Sequence, residues 1–155
     1  MDRQQLLRRL EKAWQAFKAS YEGLTDAQLM TPGVIGKWSV KDILGHVSTW
    51  EEEALKYLPG ILAGEKPPRY STTYGGIDAF NAKMTAAKSG LSLSEVQRDL
   101  DKTHRRLINV IESAPEEQFR SESRFRRRLR LDTYSHYPKH ERAIRKWRIS
   151  QEKLP

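Results

Sequence analysis

Residues 39–63 read SVKDILGHVSTWEEEALKYLPGILA, and this stretch decides the fold. Its apolar residues recur at steps of three and four, which places them on one face of an amphipathic helix. Ser39 precedes Asp42 by three positions, so its hydroxyl accepts a free backbone N–H and the carboxylate lies at the positive end of the helix. Pro59 is expected to kink the helix or to end its regular part. The pattern predicts a helix from residue 39 to about residue 63, closed by Gly64.

The same helical period recurs on both sides of this segment. Capping-box spacings, in which Thr or Ser precedes Gln or Glu by three positions, begin at Thr25 and Ser92. Residues 64–76 contain two prolines and three glycines and read as a loop, and residues 115–131 form the longest irregular stretch. The predicted helices span about residues 2–22, 39–63, 77–89, 92–114 and, from 132 or 133, to about 150.

These helices, without a convincing strand, predict an all-α fold. Four long amphipathic helices bury their apolar stripes against one another as a four-helix bundle, with the short helical pieces as additions. The chain has 155 residues, so a single domain over residues 1–155 is expected to bury a core of ordinary size.

The composition excludes several classes of protein. Hydrophobic residues make up 37% and charged residues 31%, which is too apolar for general disorder and too polar for a membrane protein. No run approaches the ~18 apolar residues that span a bilayer, and the chain opens on a charged amphipathic pattern instead of a signal peptide. We therefore expect a cytoplasmic protein without a membrane partner. The absence of cysteine excludes disulfides, thiolate metal sites and a cysteine nucleophile, so any metal is held by His, Asp, Glu and water.

The sequence contains four histidines, and three of them are candidates for one metal site. His136 and His140 are four residues apart in the last predicted helix, so their rings project from the same face. His46 lies one turn before Trp50 on the apolar face of the helix at 39–63 and also points inward. Three imidazoles from two facing helices supply three ligands and leave positions for water or substrate. The alternative is that the three rings are hydrogen-bonded core residues.

Two further features of the histidine pattern bear on this site. His104 lies among three basic residues, so we expect it on a solvated face. Pro138 lies between His136 and His140 and removes a backbone N–H. If the helix begins near residue 133, the proline bends it and alters the geometry of the pair. If the helix begins at about residue 137, Pro138 takes the first helical position and His136 lies in the cap region.

Asp42 and Glu51 are the acidic candidates for catalysis. Asp42 lies one turn before His46 and either caps its helix, which we favour, or orients the imidazole ring as a hydrogen-bond acceptor. Glu51, Glu52 and Glu53 crowd one helical turn. One of the three is a candidate base, although a solvated acidic face is the favoured interpretation.

Four aromatic residues lie close to these candidates. Trp38 and Trp50 are expected in the bundle core instead of serving as substrate platforms. Tyr70 and Tyr74 lie in the predicted loop after the helix at 39–63. That loop is expected to line the mouth of a pocket.

A basic stretch lies in the predicted irregular segment. The net charge of the chain is +8, from 28 Lys and Arg against 20 Asp and Glu, which favours an anionic partner such as a phosphate or an acidic small molecule. Binding of nucleic acid is the more specific alternative. Because Phe125, Leu129 and Leu131 are interspersed as if to anchor a loop, we favour a solvated or acid-paired surface loop. The six arginines are Arg120, Arg124, Arg126, Arg127, Arg128 and Arg130, with Arg124–Arg130 as the candidate anion contact.

Residues 36–51, GKWSVKDILGHVSTWE, resemble the W-[ST]-x-x-D-x-x-x-H-x-x-x-W pattern of the DinB-like superfamily. The continuation EEEALKYLPGILAGEKPP, the later GGIDAFNAK and the ending from Asp132 to Trp147 are similar to its DfsB/ClbS (DUF1706-type) branch. The resemblance covers nearly the whole chain and implies a four-helix bundle with an up-up-down-down connection.

The resemblance also implies a metal site and a range of activities. In many DinB-like proteins one His of the second helix and a His-x-x-x-His pair of the last hold a divalent metal, and the matching residues here are His46, His136 and His140. Neutral imidazoles suit zinc, nickel, iron or cobalt, and such an ion lowers the pKa of a bound water or binds an added thiol. Some members are metal-dependent thiol transferases or isomerases. A ClbS-type member opens the cyclopropane of a genotoxic metabolite.

These observations lead to one functional hypothesis and two alternatives. We expect a DfsB/ClbS-like protein that processes a reactive or toxic small molecule by metal-assisted hydrolysis or thiol transfer, in a stress or detoxification role. One alternative is a non-enzymatic bundle that sequesters a ligand and uses its histidines structurally. The other is a stress protein that binds nucleic acid through its arginines. Nucleic acid is the less favoured partner. A monomer and a homodimer both suit this fold.

Overall fold

Helices make up nearly all the regular structure of residues 1–154, the part of the chain that the computed structural model describes. The only β-type pairing within these residues is an isolated bridge between Ile35 and Trp38. None of the described helices combines the length and the apolar composition needed to cross a bilayer. In chain order the helices are α1 (Arg3–Ser20), α2 (Asp26–Leu29), α3 (Val40–Leu62), α4 (Tyr70–Thr73), α5 (Ile77–Lys88), α6 (Leu93–Ser113), α7 (Glu117–Arg120), α8 (Arg124–Asp132) and α9 (Tyr137–Glu152).

Helix starts follow the capping signals of the sequence. Thr25, Ser39 and Ser92 each accept a hydrogen bond from the backbone N–H three residues later, and the side chain at that later position bonds back to the cap. Asp2 and Gln5 form another capping box ahead of α1. Each box satisfies N–H groups that the first helical turn leaves unpaired. The predicted starts of α2, α3 and α6 are therefore confirmed.

The long helices form two parallel pairs. Arg148 of α9 donates to the carbonyl of Ser20 at the end of α1. Arg9, near the start of α1, lies over the ring of Tyr134, which precedes α9. The first turns of α3 and α6 line one cleft, and their last turns line another. The helices α1 and α9 therefore run in one direction together, and α3 and α6 also run together.

The two pairs are antiparallel to each other. Arg3 at the start of α1 pairs with Glu116, just beyond the end of α6, at 3.1 Å. Lys18 near the end of α1 pairs with Asp101 in the first half of α6 at 2.8 Å. Along the chain, the long helices α1, α3, α6 and α9 therefore run up, down, down and up. Around the bundle, from α9 through α1 and α6 to α3, the directions are up, up, down and down. The shorter helices α5 and α8 both pack against α3.

The apolar stripes of the long helices meet in a common core. Burying one Leu or Ile side chain stabilises a fold by about 1.5–3 kcal/mol, so the stripes hold the four-helix bundle together. The fully buried aliphatic residues of the long helices include Leu6, Leu10, Ile43, Leu44, Leu58, Leu107, Ile111 and Ile144.

Two segments predicted to be irregular contain short helices. The loop at 64–76 includes the single turn α4, and residues 115–131 include α7 and most of α8. Ser123 caps α8 by accepting the backbone N–H of Arg126. Phe125 and Leu129, one turn apart, are fully buried in the core. The prediction for 115–131 was wrong because its four large apolar residues, Phe119, Phe125, Leu129 and Leu131, are too sparse among the charged residues to establish a helical period.

The last helix begins later than residue 132 or 133. Residues 133–136 form a turn, and Thr133 leaves helical geometry with a ψ of −100°. Pro138 lies in the first turn of α9, where the backbone N–H that it lacks has no helical partner. The alternative start at about residue 137 is the observed one.

Candidate metal centre

Three imidazole rings meet between α3 and α9. The Nε2 atom of His136 lies 3.0 Å from Nε2 of His46 and 2.9 Å from Nε2 of His140. The ring centroids of His46 and His140 are 4.8 Å apart, so the three rings form a cluster instead of a row. The structure therefore brings together the three histidines that the sequence pattern singles out, here named the histidine cluster.

Each ring of the histidine cluster projects from a different position in the fold. His46 projects from the second turn of α3, whose start is fixed by the Ser39 cap. His140 lies one turn into α9, and His136 precedes that helix at its N-cap position. Because Pro138 occupies the first turn, it removes no hydrogen bond from α9 between the two rings.

Burial keeps all three imidazoles neutral at physiological pH. Removal from water is the largest cause, and it lowers the pKa of His46 to about 3 and the pKa of His136 to about 4. The pKa of His140 falls to about 2, because repulsion from the other two rings adds to its burial. The charge of Lys139 acts in the same direction at all three rings. A neutral imidazole keeps a lone pair on one ring nitrogen, and this is the form that binds a metal ion.

The donor set fits a divalent ion that prefers nitrogen ligands. Around a tetrahedral zinc ion with bonds of about 2.0–2.1 Å, the ligand nitrogens lie about 3.3 Å apart. The observed separations of 2.9 and 3.0 Å need only a small outward movement of the rings. Nδ1 of His136 and Nδ1 of His140 are buried without a hydrogen-bond partner in residues 1–154.

Asp42 acts as a helix cap. Its Oδ2 accepts hydrogen bonds from the backbone N–H and the hydroxyl of Ser39, at 3.0 and 3.1 Å. Within the described residues no hydrogen bond joins this carboxylate to the ring of His46. The capping role favoured from the sequence is the one that the structure contains.

Glu51 is fully buried, so the predicted solvated acidic face is wrong at this position. Its Oε1 accepts hydrogen bonds from the hydroxyl of Tyr137 and from Nδ1 of His104, the latter at 3.0 Å. Glu53 is also buried, and Glu52 is the exposed member of the run. Consecutive residues lie about 100° apart around a helix, so three in a row cannot share one solvated face.

His104 is buried, contrary to its predicted place on a solvated face. Its ring stacks on Trp14 of α1, with centroids 3.7 Å apart and planes 4° from parallel. His104 lies four residues after Leu100 and three before Leu107, so it continues the buried stripe of α6. That spacing indicates burial, whereas the basic neighbours of His104 had favoured a solvated face.

Glu51, Tyr137 and His104 form a buried network that joins α3, α9 and α6. Tyr137 directly follows His136, so its hydrogen bond to Glu51 holds the start of α9 against α3. Burial raises the pKa of Tyr137 well above its ordinary value, and the charge of Glu51 acts in the same direction. Tyr137 therefore stays protonated and donates. Glu51 is not among the residues that line the pocket beside the histidine cluster.

A pocket of about 330 Å³ opens beside the histidine cluster. His46 and His136 form part of its wall, so a molecule in the pocket lies next to two of the three rings. The other lining residues are Trp50, Tyr70, Ile77, Asn81, Arg128, Leu131, Asp132 and Lys139.

Of the aromatic residues singled out from the sequence, Trp38 packs against the core, and Trp50 and Tyr70 line the pocket. Trp38 is partly buried, with its ring 4.9 Å from the ring of His46. Trp50 is also partly buried but lines the pocket, which differs from its predicted place in the core. Tyr70 lines the pocket as expected for its segment, and Tyr74 stacks on Tyr70 at 6.0 Å between centroids.

Arg128 is the arginine of the basic stretch that lines the pocket. Its Nε donates to Oδ2 of Asp132 at 2.6 Å, and its Nη2 donates to the hydroxyl of Tyr70 at 2.9 Å. Burial raises the pKa of Asp132 to about 7, although the charge of Arg128 opposes the change. Arg126 bonds to backbone carbonyls, and Arg130 pairs with an acidic side chain at 2.9 Å. The stretch is therefore a partly acid-paired helix instead of a loop.

The sequence model of one protein family matches residues 9–143, a range that contains all three histidines of the cluster. The chain belongs to the DinB superfamily. The match confirms the resemblance carried by the residues around His46 and by the ending of the chain. Curated protein sequences contain no significant match to this DinB-superfamily member.

Solved structures share the fold of this DinB-superfamily chain. The sibling lethal factor precursor DfsB is similar with a TM-score of 0.83 and 19% identity, over 99% of both chains. The colibactin self-resistance protein ClbS, in complex with double-stranded DNA, gives 0.81 and 15% identity over 99% of this chain and 98% of that one. An uncharacterised protein from Escherichia coli UTI89 is similar with a TM-score of 0.81 and 16% identity, over 99% of this chain and 96% of that one. At these identities the likeness establishes the all-helical DfsB/ClbS fold.

Proposed function

We propose that His46, His136 and His140 hold a divalent metal ion, at which this DinB-superfamily protein processes a small molecule. The observation that supports this function is the approach of the three Nε2 atoms, 2.9 and 3.0 Å between neighbours, beside an open pocket. The ion is zinc, nickel, iron or cobalt, all of which accept neutral imidazole ligands.

Residues of the chain bind the ion and orient the substrate. The lowered pKa values of the three rings keep their nitrogens free of competing protons in neutral and mildly acidic solution. Trp50 and Tyr70 cover part of the pocket wall with aromatic surface that excludes water. Asn81 accepts the indole N–H of Trp50 at 2.9 Å and so fixes the orientation of that ring. A bound divalent ion supplies Lewis acidity, which activates water or a thiol near neutral pH.

Hydrolysis and thiol transfer are the reaction classes that suit such a site. The sequence contains no cysteine, so a reacting thiol is a separate molecule that enters the pocket. The pocket volume lies at the lower end of the range for ligand sites, which favours a small substrate. The shared fold with DfsB and with the colibactin self-resistance protein ClbS supports a stress or detoxification role, with a reactive or toxic substrate.

Metal analysis of the full chain, purified without a polyhistidine tag, tests this function. After dialysis against zinc, nickel, cobalt or ferrous ion, elemental analysis should find one tightly held ion per chain. His46→Gln, His136→Gln and His140→Gln should each lose it, since three ligands define the site. His104→Gln is the matched control, because it removes a buried histidine outside the cluster and should keep the ion. Wild-type protein without metal contradicts the proposal and favours a ligand-sequestering bundle with structural histidines.

Binding of nucleic acid through α7 and α8 is a second candidate function. Arg120, Arg124 and Arg127 are exposed, and the structurally similar ClbS is in complex with double-stranded DNA. Contacts to phosphates release counterions, so duplex binding should weaken steeply between about 50 and 200 mM salt. Fluorescence anisotropy with a labelled duplex measures this, with Arg124→Gln plus Arg127→Gln as the test variant. The exposed pair at 105–106 in α6, both changed to Gln, is the control. No measurable binding even at low salt removes this function.

A further inference from the structure

We infer that the pocket beside the histidine cluster takes a small organic anion with an apolar body. This inference rests on the proposed function for treating the pocket as the substrate site, and it deepens that function by naming the class of substrate. Its evidence is the lining of the pocket, which is cationic on one side and apolar on another.

The cationic side carries Lys139 and Arg128, against a single carboxylate, Asp132. Asp132 is bound to Arg128 at 2.6 Å, so it compensates that guanidinium and not the ammonium group. No carboxylate lies within 4.0 Å of the Lys139 ammonium in residues 1–154. The Nη1 atom of Arg128 also has no hydrogen-bond partner in this part of the chain. One negative group of a ligand therefore finds an uncompensated cation and a free N–H donor.

The apolar side is formed by Ile77 of α5, Leu131 of α8 and Trp50 of α3. Ile77 and Leu131 are 54% and 58% exposed, which is high for large aliphatic residues that line a common pocket. Apolar side chains grouped at a concave surface are typical of ligand sites. The polar edge of Trp50 is already bonded to Asn81, so its ring surface is the part left for contact.

The two sides together select one chemistry. A neutral apolar ligand gains nothing from the exposed charge of Lys139, and a bare inorganic anion covers neither Ile77 nor Leu131. An organic monoanion satisfies both sides. The volume of about 330 Å³ restricts the ligand to a small molecule.

A ligand series separates the two contributions. Titrations of the full chain followed by ¹⁵N NMR compare benzoate with benzamide, its neutral isostere, and with acetate, which carries the charge without the ring. The protein is metal-free and dialysed free of chelator, so that bonds from carboxylate to metal do not contribute. We expect benzoate to bind about threefold more tightly than benzamide, from one screened ion pair. Benzoate should bind about tenfold more tightly than acetate, because its ring is buried in the pocket. The largest chemical-shift changes should be at the indole N–H of Trp50.

Matched variants locate the two effects in the pocket. Lys139→Gln should abolish the preference for benzoate over benzamide, whereas Lys146→Gln, on the same helix but outside the pocket, should keep it. Leu131→Ser should weaken benzoate and benzamide alike by about fivefold. Ile149→Ser is its control, because Ile149 is 53% exposed and lies outside the pocket.

Three outcomes overturn the inference: no saturable binding of benzoate, equal affinity for benzoate and benzamide, or an equal effect of the Lys139 and Lys146 variants. Metal stoichiometry is measured on the same preparations. Anion selectivity in a chain that binds no metal contradicts the proposed metal function and leaves the pocket inference intact. Metal binding without anion selectivity contradicts the pocket inference alone.

Discussion

A carboxylate removed from water needs hydrogen-bond donors around it, and Glu51 is such a carboxylate. Its Oε1 accepts from Tyr137 and His104, while its Oε2 has no partner in residues 1–154. The next residue, Glu52, is exposed and pairs with Lys88 at 3.2 Å. These neighbours allow a direct comparison of a buried and a surface carboxylate on one helix.

Glu51→Ala should lower the free energy of unfolding by about 3 kcal/mol, because two buried donors lose their acceptor at about 1–3 kcal/mol each. Glu52→Ala is the matched control and should cost less than about 1 kcal/mol, as surface ion pairs do. Denaturant unfolding followed by circular dichroism gives both values. Equal, small losses for the two variants would show that the buried network does not hold Glu51.

Sequence spacing located single residues but not their partners. His46 and His140 could be predicted because each lies on an apolar helix face at a helical spacing from its neighbours, and His136 because it precedes His140 by four residues. The partner of Glu51, Tyr137, is 86 positions away, and no local pattern contains that pairing. Apart from the segment of Tyr70, the lining of the pocket could not be predicted either, since it comes from α3, α5 and α8 as well as α9 and the turn before it.

Among the helices, α3 carries both the cap of Asp42 and the ring of His46, so the two roles considered for Asp42 can be separated. Asp42→Ala should lower the free energy of unfolding by about 1 kcal/mol through loss of the cap, and metal affinity should stay unchanged. A carboxylate that orients a ligand ring instead lowers metal affinity by about 10–100-fold when it is removed. Denaturant unfolding and metal titration of the same variant distinguish the two roles.

Glu95 occupies the same position in the capping box of α6 and provides the control for Asp42. Glu95→Ala should also reduce stability, and it should leave metal affinity unchanged because α6 supplies no ring to the histidine cluster. A metal affinity that falls in the Asp42 variant alone would assign the ring-orienting role to Asp42.

Replacing each of the two helical prolines by alanine should change the stability of the protein in opposite directions. Pro138→Ala, in the first turn of α9, should destabilise the protein by about 0.5–1 kcal/mol, because proline there restricts the unfolded chain at no cost in hydrogen bonds. Pro59→Ala, inside α3, should stabilise it by about 1 kcal/mol, because alanine restores a backbone N–H donor and is the better helix former. Thermal and denaturant unfolding measure both. A gain in stability for the Pro138 variant would contradict its place in the first turn.

The long helices could be predicted closely and the short ones could not. The predicted helix at 39–63 is observed as Val40–Leu62, because a 23-residue stripe and a capping box both specify it. The nine residues of α8 contain a stripe of only Phe125 and Leu129, and a helix this short depends on its packing against α3. Tertiary contact, which the local pattern does not contain, therefore decides the structure of the basic stretch.

For the molecule as a whole, the histidine cluster makes the stability of the metal-free protein depend on pH. The pKa values of His46, His136 and His140 are about 3, 4 and 2 in the folded chain, against about 6.5 when unfolded. Below pH 6.5 the unfolded chain takes up protons that the folded chain does not. Stability is therefore full above pH 6.5 and falls as the pH decreases towards these folded-state values.

Two buried carboxylates oppose this dependence. Burial raises the pKa of Asp132 from 3.8 to about 7, so between these values the folded chain keeps a proton that the unfolded chain loses. Burial also raises the pKa of Glu53, which acts in the same direction just above its ordinary value. The three histidines outnumber the two carboxylates, so the net effect of acidification is a loss of stability.

Urea unfolding of the metal-free protein at about pH 6 and pH 5 should therefore show a free energy of unfolding that falls by about 1–3 kcal/mol per pH unit, since each net proton contributes about 1.4 kcal/mol. His136→Gln removes one titrating ring and should reduce the slope by about 1.4 kcal/mol per pH unit, whereas Asp132→Asn removes an opposing group and should steepen it. The sign of the two changes matters more than their size, because His136 takes up a proton on unfolding whereas Asp132 releases one. A slope that the His136 variant leaves unaltered, or stability that rises on acidification, would contradict this state of the cluster.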